Sequence, residues 1–213
     1  PEGEHFYVGG DSNDSVGVFR RDVDTGQLTF VEAVFDGGLD AAGNLIDGLG
    51  GISGLNVSPD STHVYVTGFS DNAFVTFLRD PATGRLTWIE ALFNGSVDGQ
   101  GNVINGIFTA GSPRVSPDGA FLYATGVVQD SVAVFSREAA SGRLAFVEFF
   151  AEGGYDQHGN AIPGLSNAQH LEISPDGQNV YLVGNVDDFV AVFSRDAATG
   201  RLTLLEHLVN GGS

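Results

Sequence analysis

The sequence predicts an all-β protein built from repeated four-stranded antiparallel sheets, and three observations carry that prediction. The tetrad Thr25-Gly26-Gln27-Leu28 returns as Thr83-Gly84-Arg85-Leu86, Ser141-Gly142-Arg143-Leu144 and Thr199-Gly200-Arg201-Leu202, each time 58 residues on. Ser58-Pro59-Asp60 returns at the same offset as Ser116-Pro117-Asp118 and Ser174-Pro175-Asp176, with a remnant at Pro1-Glu2-Gly3. A fixed period of this kind marks a repeat architecture, in which each unit buries its apolar surface against the next. Within a repeat, short runs rich in Val, Phe, Tyr and Thr are separated by Gly, Pro, Asp and Asn, which is the pattern of strands and turns. No 3.6-residue apolar periodicity persists for three turns, so helices are incidental at most.

The second repeat shows the elements in order. A strand is expected at residues 55–58, a turn at Pro59-Asp60, and a second strand at residues 63–68. The polar loop Ser70-Asp71-Asn72 leads to a third strand at 74–79, and the turn Asp80-Pro81-Ala82-Thr83-Gly84 makes a hairpin to a fourth at 86–93. The middle strands, Val64-Tyr65-Val66 and Phe74-Val75-Thr76-Phe77, are apolar almost without alternation, so both of their faces must be covered. Sheets stacked radially as blades of a β-propeller meet that requirement. Residues 1–213 then form one propeller region of about 3.75 blades. The first, 1–51, lacks its innermost strand; the others are 52–109, 110–167 and 168–213, making fifteen strands. An open array leaves blade faces uncovered, so the chain is expected to belong to a larger ring or an assembly, with closure as a four-bladed ring the remaining option. Familiar blades take roughly 40–50 residues. Here the surplus sits in loops 36–51, 94–109 and 152–167, expected to decorate one face.

Composition narrows the function. The formal net charge is −18, from 27 acidic side chains against 9 basic ones, all arginine, and there is no lysine, methionine or cysteine. Such a surface repels nucleic-acid phosphates and anionic headgroups, so neither is an expected partner. Without cysteine there are no disulfides, thiolate nucleophiles or thiolate metal sites. No apolar stretch approaches the roughly 18 residues of a membrane helix, so membrane insertion is not expected either. The chain opens at Pro1 without a methionine or a signal segment, which reads as removal of something upstream.

Ser-Pro-Asp-Gly, then Val64-Tyr65-Val66-Thr67-Gly68, then Asp71-Asn72 and an apolar strand ending Arg-Asp before Thr-Gly-Arg-Leu, resembles the YVTN-type repeat of lactonase-like seven-bladed propellers. The resemblance covers all four repeats and implies the fold. For function it implies two outcomes, since the group holds phosphogluconolactonases and muconate cyclases but also surface-layer and other extracellular propellers without known chemistry.

Three sets of polar residues are candidates. In the long loops, Asp40, Asp98 and Asp156 each stand four residues before Asn44, Asn102 and Asn160, with Gly43, Gly101 and Gly159 between them. Asp and Asn carry the hard oxygens that Ca²⁺ takes, so these six are candidate cation ligands; the same pattern suits a tight turn, with the following isoleucine as its anchor. The loops between second and third strands add Asp11, Asp14, Asp71, Asp130, Asp187 and Asp188, as turn acids or as an anionic rim. The first strands line the channel, and there the repeats differ: Gly54-Leu55-Asn56, Ser112-Pro113-Arg114, His170-Leu171-Glu172. His170, Glu172 and Arg114 suit a general base, its partner and an oxyanion clamp for opening a lactone with activated water. The resemblance implies a histidine ahead of the Ser-Pro-Asp-Gly turn, and His170 occupies that place. The column Glu32, Glu90, Glu148 and Glu206 is read as protection of exposed outer edges, and His5 and His63 are no ligand set, because their column continues as Phe121 and Asn179.

The leading expectation is a non-catalytic propeller, secreted or at the cell surface or in the periplasm, that binds through its acidic loops and is Ca²⁺-stabilised. A lactonase or cyclase with a channel site is the second reading, and self-association, with partner chains completing the ring, is the third. No small-molecule ligand is named by the sequence.

Overall fold

Four sheets follow one another along the chain in the computed structural model, which describes residues 3–184, 186 and 188–209 apart from the side chain of Ser112. The first holds β1 (His5–Gly10), β2 (Ser15–Arg21) and β3 (Leu28–Phe35). The second runs β4 (Ile52–Val57), β5 (His63–Gly68), β6 (Ala73–Arg79), β7 (Leu86–Phe93); the third, β8 (Ala110–Val115), β9 (Phe121–Gly126), β10 (Ser131–Arg137), β11 (Leu144–Ala151). The fourth is β12 (Ala168–Ile173), β13 (Asn179–Gly184), β14 (Phe189–Arg195) and β15 (Leu202–Val209). Every neighbouring pair is antiparallel, and each sheet is a meander from its first strand to its last. Among the described residues the helical structure is one 3-10 turn at Asp11–Asn13. The inner strands β4, β8 and β12 pack side by side and the sheets stand outward from them, as propeller blades do.

The first strand of the second blade starts at Ile52, three residues before the expected position. A bulge between Ile52 and Gly54 lets Ile52 pair with Gly68, so a Gly-rich stretch that reads as loop joins the ladder. Equivalent bulges stand at the start of β8 and β12.

Each gap between blades has its own apolar core. Val64, Val66, Val75 and Phe77 pack against Tyr7, Val16, Val18 and Val34 of the preceding blade. Tyr65, Phe74 and Leu92 pack against Leu122, Ala124 and Phe135, and Tyr123, Val132 and Phe150 against Val180, Leu182 and Phe193. This two-sided packing explains the missing alternation: β5 and β9 are buried at every residue.

Polar clamps cross the same gaps. Arg137 donates from Nε to the Tyr65 hydroxyl of the preceding blade (2.7 Å) and from Nη2 to Asp60 Oδ2 (2.7 Å), and its Nη1 reaches the Gly119 carbonyl of its own turn (2.9 Å). Tyr65 in turn donates to the Gly142 carbonyl (2.9 Å). Arg195 repeats the set with Tyr123 (2.8 Å), Asp118 (2.6 Å) and Gly177 (3.0 Å), and Arg79 with Tyr7 (2.8 Å) and Ser61 (2.8 Å). The recurring Thr-Gly turn is required here: Gly142 has φ of +73°, and a Cβ on it would run into the ring of His63.

The glutamate column does not guard edges. Glu32, Glu90 and Glu148 accept hydrogen bonds from the backbone N–H of Leu86 (2.8 Å), Leu144 (2.9 Å) and Leu202 (3.1 Å) in the following blade and pair with Arg85, Arg143 and Arg201. An edge strand's acid becomes an inter-blade clamp because the next blade's outer strand lies directly over it.

Candidate functional site

The long loops fold as small hairpins that reach over the outer strand of the next blade. Leu39 bridges Leu45, Val97 bridges Val103, and Tyr155 bridges Ala161, while Ile46, Ile104 and Ile162 are buried between blades. Asp98 Oδ1 accepts from the backbone N–H of Gln100 (2.9 Å) and Asn102 (2.8 Å); Oδ2 accepts from the Asn102 amide (2.9 Å) and from the N–H of Phe146 (2.8 Å) in the next blade. Asp40 is held in the same way by Asn44 and Trp88, and Asp156 by Asn160 and Leu204. Burial would raise these three carboxyls, but the N–H donors outweigh it and hold each below the ordinary carboxylate range. The oxygens that a hard cation would use are therefore taken by N–H groups, and among the described residues no three His, Asp or Glu converge. The loops are straps between blades, and their tips lie at the periphery.

Three acids of the second-to-third loops brace the long loops. Asp14 accepts from the Gly51 N–H (2.7 Å), Asp71 from Gly50 (2.7 Å) and Asp130 from Asn167 (2.7 Å), and Asp14 and Asp130 adopt positive φ. Asp187 lies outside the described residues.

The channel wall is different, because there the repeat supplies a scaffold and the side chains diverge. In β12 the burial alternates, with Leu171 turned into the core and His170 and Glu172 exposed on the channel side. Arg114 of β8 meets Glu172, Nε to Oε1 at 3.1 Å, and its Nη1 donates to the Pro113 carbonyl (2.9 Å). Asn56 of β4, in the same column, accepts from the Val115 N–H (3.2 Å). Arg114 stands between two depressions. One, of about 590 Å³, is lined by Arg114 and His170 together with Gly54, Phe69, Val127, Val128, Asn167 and Gln169. The other, of about 480 Å³, is lined by Arg114, Glu172, Asn56 and Pro117.

The structure thus brings Arg114 to Glu172 and puts Arg114 and His170 on one cavity, and no hydrogen bond joins His170 to Glu172. The base-and-partner pairing expected of those two does not form: two residues apart on one strand, they project side by side along the channel. Sequence reasoning missed Phe69, Val127, Val128, Asn167 and Gln169. Their signal is position, since Phe69, Val127 and Val128 follow the second strands β5 and β9, Asn167 precedes β12 and Gln169 lies within it. Gln169 donates to Asn167 Oδ1 (2.8 Å), giving the cavity a fixed polar floor beside an apolar lip.

A β-propeller whose inner strands hold a guanidinium, an imidazole and a carboxylate along the channel is the class that fold and site define. The family described as Lactonase, 7-bladed beta-propeller matches residues 55–213, and the chain belongs to it. A 6-phosphogluconolactonase of Formosa agariphila is 33% identical over 104 residues, which are 47% of this chain and 26% of that protein. In structure the chain resembles the periplasmic gluconolactonase PpgL of Pseudomonas aeruginosa, with a TM-score of 0.69, 22% identity, and coverage of 98% of this chain and 52% of that one. A candidate 6-phosphogluconolactonase of Bacteroides uniformis gives a TM-score of 0.74 at 22% identity, again over 98% and 52%. The chain therefore spans about a quarter of that curated relative and about half of these structures. The expectation of a non-catalytic binding module is overturned by the family match and by the 6-phosphogluconolactonase name of the Formosa protein. Acid-rich loops suggested a binding face, but Asp40, Asp98 and Asp156 in those loops hold blades together. No helix among the described residues is long and apolar enough to cross a membrane.

Proposed function

We propose that the chain contributes the channel site of a lactone hydrolase acting on sugar lactones. The observation that carries the reading is the shared cavity of Arg114 and His170 on the inner strands of a lactonase-family propeller. The imidazole of His170 takes a proton from water as the water oxygen bonds to the lactone carbonyl carbon. The guanidinium of Arg114, steadied by Glu172, faces the developing oxyanion. Collapse breaks the bond to the ring oxygen, and the proton on His170 passes to the departing alkoxide, giving the open hydroxy acid. The phosphogluconolactonase name of the Formosa protein and the gluconolactonase name of the Pseudomonas protein support aldonolactones as the substrate class. The periplasmic name of the latter supports a site of action outside the cytoplasm, checked by cell fractionation.

The test is hydrolysis of phosphorylated and unphosphorylated aldonolactones, followed by proton release. His170→Ala is expected to lower kcat/KM by about 10²–10⁴-fold, the usual worth of a general base. Arg114→Ala is expected to lower kcat by about 10²–10³-fold, as removal of an oxyanion donor does. Turnover unchanged in His170→Ala would overturn the assignment.

A further inference from the structure

One wall of the cavity shared by Arg114 and His170 is apolar and has no role in moving protons. Phe69, the first residue after β5, lines it together with Val127 and Val128, which follow β9. Phe69 is 38% exposed and Val128 60%, whereas Val127, which holds the place of Phe69 one repeat on, is 8% exposed. The same cavity has a stretch of bare backbone at Gly111, where the neighbouring repeats carry Ser53 and Gln169. A Cβ on Gly111 would run into the Thr125 hydroxyl and stand 3.2 Å from Val127 Cγ2, so the strand packs there only as glycine.

Two kinds of surface thus meet in a space of about 590 Å³. Arg114 and His170 bring a positive charge and a titratable nitrogen, and Gln169, held to Asn167 Oδ1 at 2.8 Å, keeps an amide in place. The side chains of the lip offer carbon only. A site of this make-up suits a molecule that is itself two-sided. A six-membered aldonolactone is one, because hydroxyl groups and the lactone carbonyl stand around its edge while C–H bonds cover its face. Those C–H bonds lie next to oxygen and are polarised with hydrogen positive, and the face of an aromatic ring is negative, so the two attract when stacked.

We propose that Phe69 is the platform for the sugar ring. The C–H face of the aldonolactone lies on the phenyl ring with Val128 at its edge, the lactone carbonyl turns toward Arg114 and His170, and the hydroxyl edge meets the Gln169 amide. The proposal rests on the reading of this channel as a lactone hydrolase site. Phe69 sets affinity and the orientation of the ring and exchanges no proton. Hydrolysis opens the ring into a flexible chain without a C–H face, so the platform holds the substrate and lets go of the product.

Phe69→Ala is expected to raise KM for gluconolactone about 3–10-fold and to leave kcat unchanged, the mark of binding lost equally from ground and transition states. Phe69→Tyr keeps the ring and is expected to stay near the native values. Both variants keep the native dichroism, since Phe69 belongs to none of the cores between blades. Inhibition by gluconate, the ring-opened product, is expected to be equal in the native protein and Phe69→Ala. Calorimetry with gluconolactam, whose ring amide resists hydrolysis, reads the same contact without turnover, and Phe69→Ala is expected to weaken its binding about 3–10-fold. Unchanged KM and unchanged lactam affinity in Phe69→Ala overturn the platform, as do an equal loss of lactam and gluconate affinity or a native protein that binds no lactam. Lactam binding that depends on Phe69 in a protein that hydrolyses no lactone upholds the platform and overturns the hydrolase reading instead.

Discussion

His63 shows how much one side chain reports on the gap between blades. It is buried, with Nδ1 accepting from Arg137 Nη2 (2.9 Å) beside the Thr62 hydroxyl (2.7 Å). Burial and the adjacent Arg137 charge push the imidazole below its ordinary value, against the pull of Asp60 and the Ser141 backbone. A histidine depressed in the folded state binds its proton more readily when unfolded, so its contribution to stability is present above about pH 6.5 and is lost as pH falls through the folded value. His63→Phe, which copies Phe121 in the next repeat, is therefore expected to lose less stability than the native chain between about pH 7 and 5. Parallel Tm curves for the two proteins across that range would refute the account. The sequence showed that His63 shares a column with Phe121, and that Arg79, Arg137 and Arg195 end equivalent strands. It did not show that Arg137 reaches 72 residues back to Tyr65, because a period of 58 aligns positions and says nothing of contacts between repeats.

Strands and turns were legible wherever the chemistry is local. The second repeat's three outer strands lie within a residue of their expected limits, since β-branched and aromatic runs bounded by Gly, Pro and Asp act through neighbouring backbone. The inner strand begins earlier than its sequence pattern indicates because Ile52 joins through a bulge, a tertiary device with no residue signature of its own. The long loops were legible as a recurring Asp-x-x-Gly-Asn pattern, while their partner, the N–H of a residue 48 positions on, was not. Asp98→Ala strips that strap, leaving the Phe146 N–H without its acceptor and opening the turn at Asn102. It is expected to cost about 1–3 kcal/mol, the penalty of an unsatisfied buried donor. Chemical denaturation reads the change directly, and a cost near zero would show the strap to be ornamental. The native Asp98 contribution is present above about pH 4 and lost as pH falls through its depressed folded value.

At the scale of the molecule, charge and fold pull in opposite directions. A formal net charge of −18 on 213 residues favours expansion, because 27 acids face only 9 arginines even though Glu32, Asp40, Asp60, Glu90, Asp98, Asp118, Glu148 and Asp156 are engaged between blades. Raising sodium chloride from about 0.01 M to 1 M shortens the screening length from about 30 Å to 3 Å, so Tm is expected to rise, and a flat or falling Tm would show that clamp screening outweighs the relief of repulsion. The sequence by itself determined the repeat, the strand pattern, the blade class and the column in which the channel residues vary, because periodic burial leaves a periodic residue pattern. Only the tertiary structure decided that Arg114 and Glu172 pair while His170 shares the cavity with Arg114, and that glutamates and loop aspartates hold blades together. Those outcomes depend on which repeat lies against which in space, and the bonds that decide them join residues 48 to 77 positions apart.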